Sequence, residues 1–137
     1  MQLTPVIAIH LSAALAALAI GPVALWARRS GHPRAVLHRA AGYAWVTLML
    51  MVAITAVFIR DFRLPNIAGY TPIHLLTIGT IAGLAGAMYA IANRNIRKHR
   101  QAMWGAYLGG CVVAGLFALL PGRFLGNWLW HQTLGLI

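Results

Sequence analysis

What this chain has least of is acid. Asp61 is the single acidic residue, against eleven Lys and Arg, in 137 residues of net charge +10. One carboxylate cannot make a catalytic dyad, a two-His-one-carboxylate iron site or a buried acidic proton relay. Cysteine is as scarce: Cys111 stands alone within an apolar run. That excludes an internal disulfide and a Cys-x-x-Cys cage, and leaves the thiol as a small core residue. Charged residues of both signs amount to 9%, where a soluble domain carries roughly a quarter. Neither a Walker loop nor a dinucleotide fingerprint occurs.

Hydrophobic residues make up 61% of the chain. Four apolar runs, Pro5–Ala27, His38–Ile59, Pro72–Ala92 and His99–Leu120, come close to the ~20 residues that cross a bilayer. They predict an all-α transmembrane four-helix bundle, a single domain over 1–137. The first run is of full span length and follows no basic segment, so no cleaved leader is expected. Residues 124–137, with Trp128, Trp130 and His131, are too short to cross again and are expected in the headgroup layer. Thr4-Pro5 and Thr71-Pro72 have the form of a cap followed by a first-turn proline. Gly31-His32-Pro33 reads as a turn. Gly21-Pro22 breaks the first run, which neighbouring helices must repair by satisfying the freed carbonyl.

The basic charge is segregated. Arg28, Arg29, Arg34 and Arg39 surround the first connection, and Arg94, Arg97, Lys98 and Arg100 the third; the second carries Arg60 and Arg63 beside Asp61. Eight of the eleven cations therefore fall on one side, which the positive-inside rule makes cytoplasmic, with both termini outside. In a bacterial inner membrane the termini would be periplasmic. The partner implied by the charge is anionic lipid and not nucleic acid.

The chain repeats itself. Ile9-His10-Leu11 returns as Ile73-His74-Leu75, and His38-Arg39 returns as His99-Arg100. Ile9–Phe58 matches Ile73–Leu119 with a three-residue deletion placed in the basic connection. Two tandem helical hairpins result, a parallel repeat with its pseudo-twofold axis along the membrane normal. Small residues (Ala13, Ala14, Ala17 and Gly21; Gly79, Gly83 and Gly86; Gly105 and Gly109, joined by Gly110 and Gly115) are expected to let helices approach closely.

Histidine inside hydrocarbon is costly and marks a candidate site. The topology puts His10 and His74 in the outer half and His38 and His99 at the inner edge, about 20–25 Å apart in depth at 1.5 Å per helical residue with some tilt. Facing imidazoles across a bundle core are the ligand set for a six-coordinate b-type haem. Four such histidines predict two haems and a transmembrane electron relay. Arg39 and Arg100 stand next to the inner pair, and Arg60, Arg63, Arg123 and Tyr70 near the outer pair, as candidate partners for haem propionates. A closed zinc site would need all four histidines at one depth. Copper is the alternative metal, since imidazole suits it and Met49, Met51, Met88 and Met103 add soft sulfur, although methionine in a bundle is usually packing.

The set Ile73-His74-Leu75-Leu76, His99-Arg100-Gln101-Ala102-Met103-Trp104-Gly105-Ala106-Tyr107 and Leu119-Leu120-Pro121-Gly122-Arg123 resembles an uncharacterised bacterial family of four-span integral membrane proteins. The resemblance covers nearly the whole chain, and the Leu-Pro-Gly-Arg ending is its most specific element. It implies fold and membrane residence. In architecture the chain is also similar to two-haem transmembrane cytochromes b and to haem A synthase, and in size and histidine placement to small assembly factors of haem-copper oxidases. The expectation is thus a two-haem electron-transfer protein served by a quinol or small reductant and a redox partner. The alternatives are a copper- or haem-handling assembly factor, and a cofactor-free interaction subunit of a membrane complex or homodimer.

Overall fold

The computed structural model describes residues 3–29, 34–62 and 65–136, so the calls on His32 and Arg63 lie outside the described residues. Four helices are long and apolar enough to cross a membrane. They are α1 (Pro5–Arg29), α2 (Ala35–Phe58), α3 (His74–Ala92) and α4 (Ile96–Ala118). α4 is one run whose middle, Leu108–Val113, is wound as a π-helix. A short α5 (Phe124–Asn127) continues into a second π-wound turn, Trp128–Thr133. Among the described residues the only β pairing is an isolated bridge, Ile67 with Tyr70.

α1 packs on α2, α2 on α3, α3 on α4, and the π-wound part of α4 back on α1. The ring of neighbours sets α1 across from α3 and α2 across from α4. The ends of α1 and α4 that carry the termini form one end of the bundle, the terminal end. Arg28, Arg34, Arg39, Arg94, Arg97, Lys98 and Arg100 form the other, the basic end.

The core is narrow. Ala17, Trp45, Met49, Leu84 and Ala106 are buried together, with Tyr107 and Cys111 packed against them. Large apolar residues such as Leu15, Ile54, Phe58, Leu75, Ile78 and Leu116 are exposed. Helices apolar on all sides suit a lipid solvent, where interhelical contact rests on packing and hydrogen bonds, because burial from lipid gains little.

Local rules set the helix ends. Thr4 Oγ1 accepts the Ile7 N–H at 3.3 Å, so the cap before Pro5 is present. α2 and α4 start three residues before His38 and His99, so both histidines are fourth in their helices. Asn95 caps α4 by accepting the Lys98 N–H at 3.0 Å. Arg94, at φ 56°, supplies the left-handed residue that ends α3, and the Asn95 N–H returns to the Ala90 carbonyl at 2.8 Å.

The break at Pro22 is repaired as the sequence requires. Proline has no N–H for the carbonyl four residues earlier. That carbonyl, Leu18 O, accepts the Tyr107 hydroxyl from α4 at 3.3 Å. Gly21 makes room for the ring: a Cβ there would lie 2.5 Å from Tyr107 Cε2 and 3.0 Å from Trp45 Nε1.

The glycines divide differently from expectation. A Cβ added at Gly79, Gly86, Gly105, Gly109 or Gly115 would meet nothing within 4 Å, whereas at Gly110 it would meet the Met49 methyl at 2.6 Å and Thr80 Oγ1 at 3.0 Å. Between the spanning helices close approach therefore depends on Gly21 and Gly110, while Gly126 lets the tail pack on the Leu120 carbonyl. The Gly105-x-x-x-Gly109 pair, which the small-residue rule assigns to an interface, packs against no neighbour.

Candidate functional site

The site grows from how each imidazole is held. His38, in the first turn of α2, has Nδ1 2.8 Å from the Ala24 carbonyl of α1. His99, at the same register of α4, has Nδ1 2.9 Å from the Ala87 carbonyl of α3. A carbonyl only accepts, so both rings carry a proton on Nδ1, and in the neutral imidazole the lone pair is then on Nε2. These matched bonds are the sequence repeat in physical form.

The acceptors also locate the deletion between the repeats. Ala24 lies fourteen residues after His10, while Ala87 lies thirteen after His74. One of the three missing residues therefore falls within the span and only two in the connection. Measured along the helices, the two histidine layers are about 20 Å apart at 1.5 Å per residue.

His10, two turns inside α1, has Nδ1 3.1 Å from the Val52 carbonyl and 2.9 Å from Thr55 Oγ1. The Thr55 hydroxyl is itself spent on the Met51 carbonyl at 2.7 Å. Thr55 thus accepts from His10, and again Nδ1 holds the proton and Nε2 the lone pair.

His74 differs. Its Nδ1 accepts the Thr71 N–H at 3.1 Å, and its Nε2 donates to the Ile59 carbonyl at 3.0 Å. The first bond has the side-chain-to-backbone form of a capping box, made across the turn that leads into α3, with histidine in the place usually held by Glu or Gln. The second ties the end of α2 to the start of α3. Tyr70 meets the His74 ring edge-on at 5.1 Å, and the Arg60 guanidinium lies 5.2 Å over Tyr70.

A cavity of about 500 Å³ opens at the terminal end between all four helices, with His10 and His74 both on its wall. This is the size range of ligand sites. Apolar side chains such as Leu11, Leu15, Val52 and Leu76 form most of the lining, and Thr80, Met49, Gly110 and Cys111 close its deep end. Small residues (Ala14, Ala53, Ala56 and Ala114) keep it open. The π-wound stretch of α4 runs along it, as such bulges often do at functional sites. Asp61 and Arg123 sit at the rim, 3.7 Å apart, with Phe124 and Leu125 of the tail beside them.

The cavity therefore brings together His10, His74 and Arg123 from the expected set. Arg60 is turned to Tyr70, its hydroxyl at 3.4 Å. His38 and His99 are matched in register, and no hydrogen bond between them occurs among the described residues. Arg39 and Arg100 are exposed at the basic end. His131 is exposed in the tail. Cys111, expected in the core, is half-buried on the cavity wall. Sequence reasoning missed the cavity, the π winding and the Thr55 relay. The adjacent Gly109-Gly110 was the one signal for an irregular fourth helix.

A bundle of four apolar membrane-length helices, with imidazoles held by main-chain carbonyls, defines a multi-pass integral membrane protein. Residues 7–121 match the family described as Predicted membrane protein (DUF2306), and the chain belongs to it. No curated protein and no solved structure matches the chain.

Proposed function

We propose that the protein binds b-type haem between paired histidines at two depths and carries electrons across the membrane. His10 and His74 would hold the haem at the terminal end, and His38 and His99 the one at the basic end. The observation that carries the reading is the bonding of His10, His38 and His99. Each donates its Nδ1–H to an acceptor on a neighbouring helix, which in the neutral ring leaves Nε2 free to ligate. That is the outer-shell arrangement of metal-bound imidazole, which fixes the tautomer and raises ligand basicity.

Bound haem supplies the one-electron chemistry. The chain's own residues position and insulate it. Val52 and Thr55 orient His10, and the apolar wall excludes water. Arg123, Arg39 and Arg100 offer charge-assisted hydrogen bonds to propionates. His74 must give up the Ile59 carbonyl before its Nε2 can ligate, which makes the terminal-end site the weaker of the two. The segregated cations support a cytoplasmic basic end and periplasmic termini in a bacterial inner membrane. A quinol or small reductant would serve one face and a redox protein the other.

The double engagement of His74 favours a second reading, in which the cavity loads copper or haem in transit during assembly of a respiratory oxidase. Haem stoichiometry separates the readings. Full-length protein purified in detergent from haem-replete cells should carry about two haems per chain, as the paired ligand sets require. His38→Ala or His99→Ala should remove one and leave the other. Colourless protein containing copper would support the assembly reading. Protein with neither would leave a cofactor-free interaction subunit.

A further inference from the structure

We propose that the terminal-end cavity takes its ligand sideways from the bilayer, through a slot between α1 and the last part of α4, and that the ligand is a membrane-dissolved apolar molecule. The other ways in are closed. On three sides the helices pack, α1 on α2, α2 on α3 and α3 on α4. Met49, Thr80, Gly110 and Cys111 close the deep end. Across the terminal end Asp61 and Arg123 meet at 3.7 Å, with Phe124 and Leu125 on the wall beside them. The tail is pinned there: the Trp130 indole donates to the Leu119 carbonyl at 2.8 Å, and Asn127 Oδ1 accepts the Gly122 N–H at 2.9 Å.

The fourth side differs. Among the described residues α1 packs on α4 along the π-wound stretch Leu108–Val113, and no comparable packing joins it to Ala114–Ala118. The bond from the Tyr107 hydroxyl to the Leu18 carbonyl fastens the two helices on the basic side of that stretch. Toward the terminal end, Leu15 and Leu18 of α1 and Leu116 and Leu119 of α4 line the cavity and are also exposed, Leu15 at 57% and Leu116 at 62%. Side chains that are both cavity wall and outer surface mark where the wall ends. Gly115 belongs to the same edge: it lines the cavity, it is exposed, and a Cβ there would meet nothing within 4 Å.

The slot selects the ligand. Its four leucines offer no polar atom, and they lie on membrane-length helices, so hydrocarbon stands outside them. A water-soluble solute would shed its hydration there and gain no partner. An apolar molecule passes from one apolar medium into another at little cost. Small wall residues, Ala14, Ala114 and Gly115, leave it room. On the haem reading above, on which this one clause rests, the molecule is haem, an apolar ring whose propionates can stay at the Arg123 rim; the route itself does not depend on that reading.

The test is photolabelling of full-length protein, made in haem-deficient cells and placed in phosphatidylcholine vesicles, with trifluoromethyl-phenyl-diazirine. This probe dissolves in the bilayer, and labelled residues are mapped by mass spectrometry. Val52 on α2 and Leu76 on α3 lie on the inner wall and should be labelled, as should the outward-facing Ile54 and Ile78. Gly115→Trp has open room for its ring and should fill the slot, abolishing the label at Val52 and Leu76 and keeping it at Ile54 and Ile78. Gly115→Leu should lower the inner label in part. A cationic diazirine confined to water should leave Val52 and Leu76 unlabelled. No inner label in the wild type, inner label undiminished in both Gly115 variants, or equal inner labelling from water would overturn the proposal. If Gly115→Trp fails to fold, Gly115→Leu decides it. Haem content is counted separately, so inner labelling in a protein that never binds haem keeps the slot and loses only the haem reading.

Discussion

Tyr107→Phe removes one hydroxyl and should cost about 1 kcal/mol, because the Leu18 carbonyl has no N–H of its own to fall back on. Pro22 deletes the intrahelical donor, and the Tyr107 hydroxyl replaces it at 3.3 Å. Interhelical hydrogen bonds in membrane proteins average about 0.6 kcal/mol and reach ~1.7. A carbonyl left unpaired in apolar surroundings belongs in the upper part of that range. Pro22→Ala restores the ordinary N–H from residue 22 to Leu18. In that background Tyr107→Phe should cost no more than a few tenths of a kcal/mol, since the carbonyl is already paired. The double-mutant cycle is measured by unfolding in mixed detergent and SDS, followed by helical circular dichroism. An equal cost in both backgrounds would refute the link between Pro22 and Tyr107. So would no cost in the wild type.

Three further outcomes follow from the same packing. Gly21→Ala should destabilise by about 1–3 kcal/mol in the same titration, because the new Cβ meets Tyr107 and Trp45. Ala68→Asn should stabilise by about 0.5–1 kcal/mol, because Ala68 (φ 53°) and Gly69 (φ 85°) form a positive-φ turn in which Asn-Gly is preferred. His74→Gln should keep the bond from the Thr71 N–H but lose the one to the Ile59 carbonyl, and so cost less than His74→Ala, which loses both at about 1–2 kcal/mol. Both variants should lower haem content equally, so the pair separates capping from ligation.

Much of the architecture was legible because hydrocarbon is a strict solvent. Apolar length fixed the four spans, and the returning Ile-His-Leu and His-Arg pairs exposed the repeat. The helix starts moved outward at Ala35 and Ile96, because basic residues near a helix end keep their charge at the interface while the backbone continues helical. The Gly21-Pro22 break announced an unpaired carbonyl, but the linear sequence could not name Tyr107 as its partner 89 residues away from Leu18. Thr71-x-x-His74 had the spacing of a capping box. The ring's role was hidden because histidine is not the usual residue there, and its match to His10 drew attention to ligation. The glycine pattern misled for a related reason: spacing on a helix says which residues share a face, and only the neighbouring helix decides whether that face is covered.

The most direct test of the central claim is electron paramagnetic resonance of the oxidised protein, which reads the axial ligands of each ferric haem. Bis-imidazole ligation predicts two low-spin ferric signals in the wild type. His38→Ala and His99→Ala should each abolish the same one, and His10→Ala the other. A single high-spin signal, or an unchanged spectrum after loss of His38, would contradict the pairing of histidines at two depths.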